Sequence, residues 1–263
     1  RAWFFTNEGT LESYHLDNGR PVNGWPLKLG SVGSGEITVR DGRLLFVDRA
    51  NTLHCLDQNN GQEFWRLPLD AQPIGSVSIE RRIVRVATSD GRVVFADAID
   101  GRVGNSLRCP AGISTRVLAA GNQMWFGAVD GRVRCVDEGS GRIIWATDVG
   151  RPLGENDVVM TKDGIVALGS ENRLLRLDRQ NGQVAAETKL PDAPVQALRV
   201  RGDQLLTVVR FPRDGQRPAR DLLQARDASS LALVWEYGDA GTFTGAPSVD
   251  GAFVAVAGAD GDV

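Results

Sequence analysis

The side chains best suited to catalysis or to metal binding are few in this sequence and lie far apart. The histidines are His15 and His54, and the cysteines are Cys55, Cys109 and Cys135. No Cys-x-x-Cys pair and no helically spaced pair of histidines occurs, although zinc sites usually need such spacings. We therefore predict no metal site and no catalytic residue. We interpret the two histidines as strand-surface residues, and Cys55 and Cys135 as small buried residues.

Two glycine-rich segments have a superficial likeness to ligand-binding loops. "GSVGSGE", residues 30–36, has the glycines of a phosphate loop but lacks the Lys-Ser/Thr ending and opens no helix. "GADGDV", residues 258–263, begins like a calcium loop but lacks the further oxygen ligands. We interpret the first as a connector into a strand and the second as a hairpin turn. The sequence thus predicts no bound cofactor and no bound metal.

The segment "RFPRDGQRPARD", residues 210–221, has the composition of a binding loop. Its arginines are interspersed with two prolines, and loops on a rigid scaffold are where binding residues concentrate. We predict that a partner-binding loop is formed by Arg210, Phe211, Arg213, Arg217 and Arg220. The partner surface would have to be acidic, and such charges act mainly on association rate and salt dependence. The alternative is a solvated surface insertion without a function.

The elements that carry these side chains repeat along the chain. Aligned on one aspartate, successive units begin 40, 40, 40, 41 and 49 residues apart, at Asp17, Asp57, Asp97, Asp137, Asp178 and Asp227. Four residues later, the four middle units have Gly61, Gly101, Gly141 and Gly182. Eight residues after the aspartate, the six units have Trp25, Trp65, Asn105, Trp145, Ala186 and Trp235. The 49-residue step contains the basic segment, which therefore inserts about nine residues (49 minus 40) into a regular unit.

Each unit is typical of four short strands joined by tight turns. In residues 114–148 the runs "STRVLAA", "QMWFGA", "RVRCVD" and "RIIWATD" are rich in β-branched and aromatic residues. Asp-Gly and Asn-Gly pairs between strands supply the positive φ that tight hairpins need. Six such units predict an all-β fold, a β-propeller of four-stranded antiparallel blades. A parallel β-helix would need shorter repeats, and a sandwich would not keep a constant spacing.

"CLDQNNGQEFW", residues 55–65, and "CVDEGSGRIIW", residues 135–145, resemble the tryptophan-docking motif of the PQQ-like, or quinoprotein-like, propeller repeats. The resemblance covers the whole chain and is partial in the units that lack the tryptophan. It implies that Trp65 and Trp145 are buried against the neighbouring blade, and we expect Trp125 to be buried too. It also implies that residues 1–263 form a single propeller domain, part of a ring of seven or eight blades.

The resemblance implies a non-enzymatic scaffold. The dehydrogenases of this family stack two adjacent cysteines on pyrroloquinoline quinone and bind calcium through carboxylates and amides, and no matching pattern occurs here. The expected function is protein–protein interaction in the bacterial cell envelope, as in the propeller lipoprotein of the outer-membrane protein assembly machinery. The alternatives are the extracytoplasmic sensor domain of a receptor kinase and a fragment of a quinone-dependent dehydrogenase.

Composition and the start of the sequence bear on the class of partner and on the cellular location. A net charge of −3 argues against nucleic acid, whose binding usually needs a concentrated basic patch. No apolar run approaches the roughly 20 residues of a membrane-spanning helix, so we predict no transmembrane segment. The sequence begins without Met and without a basic-then-apolar leader, which is typical of a mature chain or an excerpt of a longer one. We expect a periplasmic or extracytoplasmic location, with a lipid anchor to the outer membrane.

Overall fold

The computed structural model describes residues 1–6, 8–15, 17–29, 33–109, 112–215, 218–238, 241–243, 247–250 and 253–256. In this part of the chain the regular structure is β-strand, apart from one short 3-10 helix at Ser170–Asn172. The strands form antiparallel sheets in which neighbours in sequence are neighbours in space. This is the all-β, four-stranded arrangement that the 40-residue repeat predicts.

The first three sheets are built as follows. The first contains β1 (Ala2–Phe5), β2 (Thr10–Tyr14) and β3 (Leu27–Lys28). The second contains β4 (Gly33–Arg40), β5 (Arg43–Asp48), β6 (Thr52–Asp57) and β7 (Glu63–Pro68). The third contains β8 (Pro73–Glu80), β9 (Ile83–Thr88), β10 (Arg92–Asp97) and β11 (Leu107–Arg108).

The remaining sheets follow the same plan. The fourth contains β12 (Leu118–Ala120), β13 (Gln123–Gly127), β14 (Arg132–Asp137) and β15 (Ile143–Asp148). The fifth contains β16 (Val158–Met160), β17 (Ile165–Leu168), β18 (Arg173–Leu177) and β19 (Val184–Lys189). The sixth contains β20 (Val195–Arg201), β21 (Gln204–Phe211), β22 (Arg220–Asp227) and β23 (Leu233–Gly238). A last pair consists of β24 (Ser248–Asp250) and β25 (Phe253–Ala255).

The chain divides into two compact units, Arg1–Gly121 and Asn122–Val263. The single domain and the seven- or eight-bladed ring stay predictions. Among the segments that were compared with ligand loops, residues 33–36 of "GSVGSGE" form the start of β4. Residues 30–32 and the whole of "GADGDV" lie outside the described residues.

The core of each unit lies between adjacent sheets. In the first unit, one cluster joins the second sheet to the third through side chains such as Leu45, Leu53, Val77 and Val84. In the second unit, an equivalent cluster joins the fifth sheet to the sixth. In the second sheet, the two middle strands β5 and β6 are covered on both faces, since each has at least four consecutive buried residues. The sequence of β5, "RLLFVD", is accordingly a nearly continuous apolar run. Burial of this apolar area is the main favourable term in folding.

Candidate partner-binding surface

The repeated aspartate closes the turn between the third and fourth strands of a sheet. In the second sheet, Asp57 Oδ1 accepts a hydrogen bond from the backbone N–H of Asn59 at 2.7 Å, and the N–H of Gly61 donates to the Asp57 carbonyl oxygen at 2.8 Å. In the fourth sheet, Asp137 accepts bonds from both the N–H and the hydroxyl of Ser140. These bonds favour the ionised carboxylate, so they lower the pKa of Asp137.

The repeated tryptophan packs on the turn of the next sheet. The indole N–H of Trp65 donates to the Ala98 carbonyl oxygen at 3.0 Å, and that of Trp145 donates to the Arg179 carbonyl oxygen at 2.9 Å. Trp65 and Trp145 are each 8% exposed, and Trp125 is 2% exposed. The predicted burial of all three tryptophans is confirmed.

The histidine prediction is wrong for His54. This residue lies in β6, the third strand of its sheet, where both faces are covered, and it is buried. Its ring stacks on Phe46 with centroids 4.9 Å apart. Its Nε2 lies 3.2 Å from Asp48 Oδ2, and its Nδ1 lies 3.1 Å from Glu63 Oε2. His15 is half-buried at the end of the first hairpin.

The three cysteines are buried. Burial disfavours the thiolate, and it raises the pKa of Cys55 to about 11 and that of Cys135 to about 12. A thiol that stays protonated near neutral pH is a poor nucleophile. The prediction that Cys55 and Cys135 are small buried residues is confirmed.

The predicted loop at 210–221 is shorter than expected, because its two ends belong to strands. β21 and β22 are eight residues long, and their ladder continues through the pairs Arg210↔Asp221 and Phe211↔Arg220. The connection between these strands therefore comprises residues 212–219. We call residues 210–221 the insertion hairpin. Arg217 lies outside the described residues.

Arg210, one of the residues of the predicted partner-binding loop, is held by contacts within the protein, and its side chain is 36% exposed. Its Nε and Nη2 donate to the two carboxylate oxygens of Asp221 at 2.8 and 2.6 Å. The Asp221 side chain is fully buried, and one of its oxygens also accepts the backbone N–H of Phe243 at 2.6 Å. Arg210 Nη2 further donates to the Phe243 carbonyl oxygen at 2.7 Å. The bond to Asp221 raises the pKa of Arg210. We call these contacts among Arg210, Asp221 and Phe243 the clasp, and they fix the base of the insertion hairpin.

Beyond the clasp, the insertion hairpin presents cationic side chains. The guanidinium of Arg220 lies 5.0 Å from the centroid of the Phe211 ring. Arg220 and Arg213 are exposed, Phe211 is half-buried, and Asp214 is the exposed carboxylate among them. One signal in the sequence could have separated the paired Arg210 from the exposed arginines. Opposite charges stand at positions 210 and 221, the two ends of the inserted segment. Exposed guanidinium groups of this kind bind carboxylates and phosphates.

The described residues contain no group of three or more His, Cys, Asp or Glu side chains that could hold a metal ion. Within the same residues, no helix is long and apolar enough to cross a membrane. The chemistry that the described surface offers at the insertion hairpin is therefore recognition by charge and by an aromatic contact.

Comparison with known proteins gives one family and two informative structures. The sequence model of the family described as outer membrane protein assembly factor BamB matches residues 7–128 and 129–263. The crystal structure of BamB from Moraxella catarrhalis is 15% identical, with a TM-score of 0.68 over 98% of this chain and 76% of that one. The computationally designed Ika8 protein is 13% identical, with a TM-score of 0.70 over 100% of this chain and 92% of that one. No curated protein matches the sequence. These likenesses establish the β-propeller fold.

Proposed function

The chain belongs to the family of the outer membrane protein assembly factor BamB, and we propose that it is a non-catalytic propeller scaffold that binds a protein partner during outer-membrane protein assembly. We further propose that it works in the periplasm, held at the outer membrane by a lipid anchor. A fold alone does not determine a function, and the designed Ika8 protein shares this one. The proposal therefore depends on a surface that the fold itself does not require.

The insertion hairpin is that surface, and it is the observation that carries the proposal. The equivalent connections in the second, third and fourth sheets are tight turns at residues 49–51, 89–91 and 129–131. A blade therefore forms without the additional residues. The extra segment is nevertheless clasped to the sheet by Arg210 and Asp221. A rigid base with exposed Arg213 and Arg220 lowers the ordering cost of binding a partner.

The titratable side chains support a scaffold over an enzyme. Asp57 and Asp137 close turns, Arg210 binds Asp221, and His54 lies between two carboxylates without a nucleophile in the described contacts. An active site would need a base, a nucleophile or an electrophile converging on one reacting atom. The described groups are instead engaged in holding the sheets and turns.

The test is complementation in the organism that encodes the chain. Cells lacking the gene are supplied with the wild-type chain, or with a variant in which Asn-Gly replaces residues 211–220. That variant keeps Arg210 and Asp221 as neighbours of a two-residue hairpin turn. The variant Arg142→Gln, which changes an exposed arginine outside the hairpin, is the matched control. We expect the wild type and the control to restore the abundance of outer-membrane proteins and resistance to large antibiotics, and the shortened variant to fail. Full restoration by the shortened variant would contradict the proposal.

A further inference from the structure

We propose that Arg220, stacked on Phe211, is a carboxylate-binding site, and that the partner surface it binds is an acidic stretch of protein. This inference rests on the proposed function, because it assigns a chemistry to the same hairpin. It goes beyond that function by naming one residue pair as the recognition element and by specifying the group it binds. Three features of the hairpin support this assignment.

The first feature is that Arg220 is held in place and yet uncommitted. Its guanidinium lies over the Phe211 ring at 5.0 Å. Among the described residues, it has neither a hydrogen bond nor an ion pair to another side chain or carbonyl. Arg210, one residue pair closer to the sheet, is by contrast hydrogen-bonded to both carboxylate oxygens of Asp221. A guanidinium stacked on a ring face keeps its N–H groups in the plane of the group, where they bind a carboxylate through two parallel bonds.

The second feature is a contrast within the chain. Arg43 also stacks on an aromatic ring, that of Phe64, at 5.5 Å. Its Nε, however, donates to the Ala98 carbonyl oxygen at 2.7 Å, and its Nη1 donates to the Asp41 carbonyl oxygen at 3.2 Å. Arg43 is thus a stacked arginine with a structural task. Of these two stacked pairs, the one in the insertion hairpin has no guanidinium donor that is bonded to another described residue.

The third feature is that the hairpin edge discourages strand pairing. The N–H of Arg210 donates outward to Pro194, and that of Asp221 donates outward to Gly241. Outward-facing groups recur at every second residue of an antiparallel ladder, so the next one on the β21 side belongs to Pro212. Proline has no N–H, and it protects an edge from strand addition. On the β21 side, recognition of a partner is therefore expected to use side chains and not strand addition.

The charge of the exposed part fits an acidic partner. Arg213 adds a second exposed cation, and Asp214 is the exposed carboxylate between it and the hairpin tip. The carboxylate of Asp221 is fully buried and already neutralised by Arg210. Opposite charges across an interface favour encounter and suppress partners of the wrong sign. Aspartate and glutamate side chains meet both the charge and the planar geometry of Arg220.

The test is an NMR titration of the full chain with a defined probe. The probe is a 12-residue peptide of alternating Glu and Gly, and the matched control is the same peptide with Gln in place of Glu. The arginine Nε–H signals are followed. We expect the Arg220 signal and the Phe211 ring signals to shift with the Glu peptide only, and the Arg43 signal to stay in place. Arg220→Lys keeps the charge without the planar fork, and we expect it to weaken binding by about two- to fivefold, the range of an exposed ion pair.

Two outcomes would overturn the inference. One is an Arg220 signal that does not move, and the other is a shift of equal size at every exposed arginine. These outcomes can be told apart from failure of the proposed function. If the shortened hairpin fails to complement while Arg220 does not respond, the hairpin binds its partner by other groups. If the shortened hairpin complements fully, the proposed function itself is wrong.

Discussion

The indole ring of Trp145 lies so close to Gly182 that a Cβ at that position would be 2.5 Å from Trp145 Cε3. The same relationship holds between Trp65 and Gly101. At Gly101 and Gly182 the glycine is therefore required by the tryptophan of the preceding sheet, in addition to the positive φ of its own turn. In these two cases the tryptophan of one unit and the glycine of the next form the two halves of one contact between successive sheets.

We expect Gly182→Ala to destabilise the chain much more than Gly202→Ala. Both glycines have a positive φ, 73° and 53°, but a Cβ at Gly202 would meet nothing within 4 Å. The backbone cost of about 1–2 kcal/mol is common to the two variants. Overpacking against Trp145 should add about 1–3 kcal/mol to the first alone. The measurement is denaturant unfolding. Equal losses of unfolding free energy in the two variants would show that the Trp145 ring moves aside without cost.

Ala186 and Leu231 are a second solution to the same packing problem. Ala186 stands where other units have tryptophan, and Leu231 stands where they have glycine. Leu231 is fully buried in a cluster against which Ala186 packs, and it keeps a φ of 61°, which is unusual for a bulky residue. We expect Leu231→Ala to cost about 2–5 kcal/mol.

The exchange can be tested directly. We expect Ala186→Trp alone to destabilise the chain by overpacking, and Ala186→Trp combined with Leu231→Gly to recover stability. Contacting positions typically show a coupling of about 0.5–3 kcal/mol in such a cycle. A double variant with the summed losses of the two single variants would mean that the positions do not compensate each other.

The repeat allowed the fold to be predicted from the sequence, whereas the polar side-chain contacts could not be predicted. Spacing and turn residues predict the strands well, although β12 begins at Leu118 and not at Ser114. The burial of His54 escaped prediction because its two carboxylate partners are set by strand register, which composition does not reveal. The ion pair of Arg210 escaped prediction for the same reason, since a local run of charge does not show which arginine faces a buried carboxylate.

We expect Arg210→Met to lower the free energy of unfolding by about 2–3 kcal/mol. It leaves the buried Asp221 carboxylate without its cation, and breaking a fully buried pair costs about 3–5 kcal/mol. The loss should be smaller here because the Arg210 side chain is 36% exposed. Arg213→Met, at an exposed position in the same hairpin, is the control and should change stability by less than about 0.5 kcal/mol. The measurement is calorimetry of the two variants. Similar free energies of unfolding would show that the contact between Arg210 and Asp221 does not stabilise the fold.

The buried cysteines make the stability of the folded chain fall as the pH becomes alkaline, and their burial keeps the thiols unreactive below that range. The pKa of Cys55 is raised to about 11, and that of Cys135 to about 12, whereas an ordinary thiol titrates near 9. A thiol whose pKa is higher in the folded state contributes stability below the unfolded value. That contribution is lost as the pH rises from about 9 through the folded value. We expect a thiol reagent at pH 8 to modify neither residue in the native chain and both after unfolding. Rapid native labelling would contradict their burial.

The proposed contact between the insertion hairpin and a protein of outer-membrane assembly can be captured by site-specific photo-crosslinking in cells. A photoreactive residue is placed at Arg213 in the hairpin and, separately, at Arg142, which is exposed outside it. The adducts are identified by mass spectrometry. We expect one discrete adduct from position 213 that contains an outer-membrane assembly component. This adduct should be absent from position 142 and should weaken when Arg220→Gln is added. Identical adduct patterns from the two positions, or no adduct from position 213, would contradict the proposed contact.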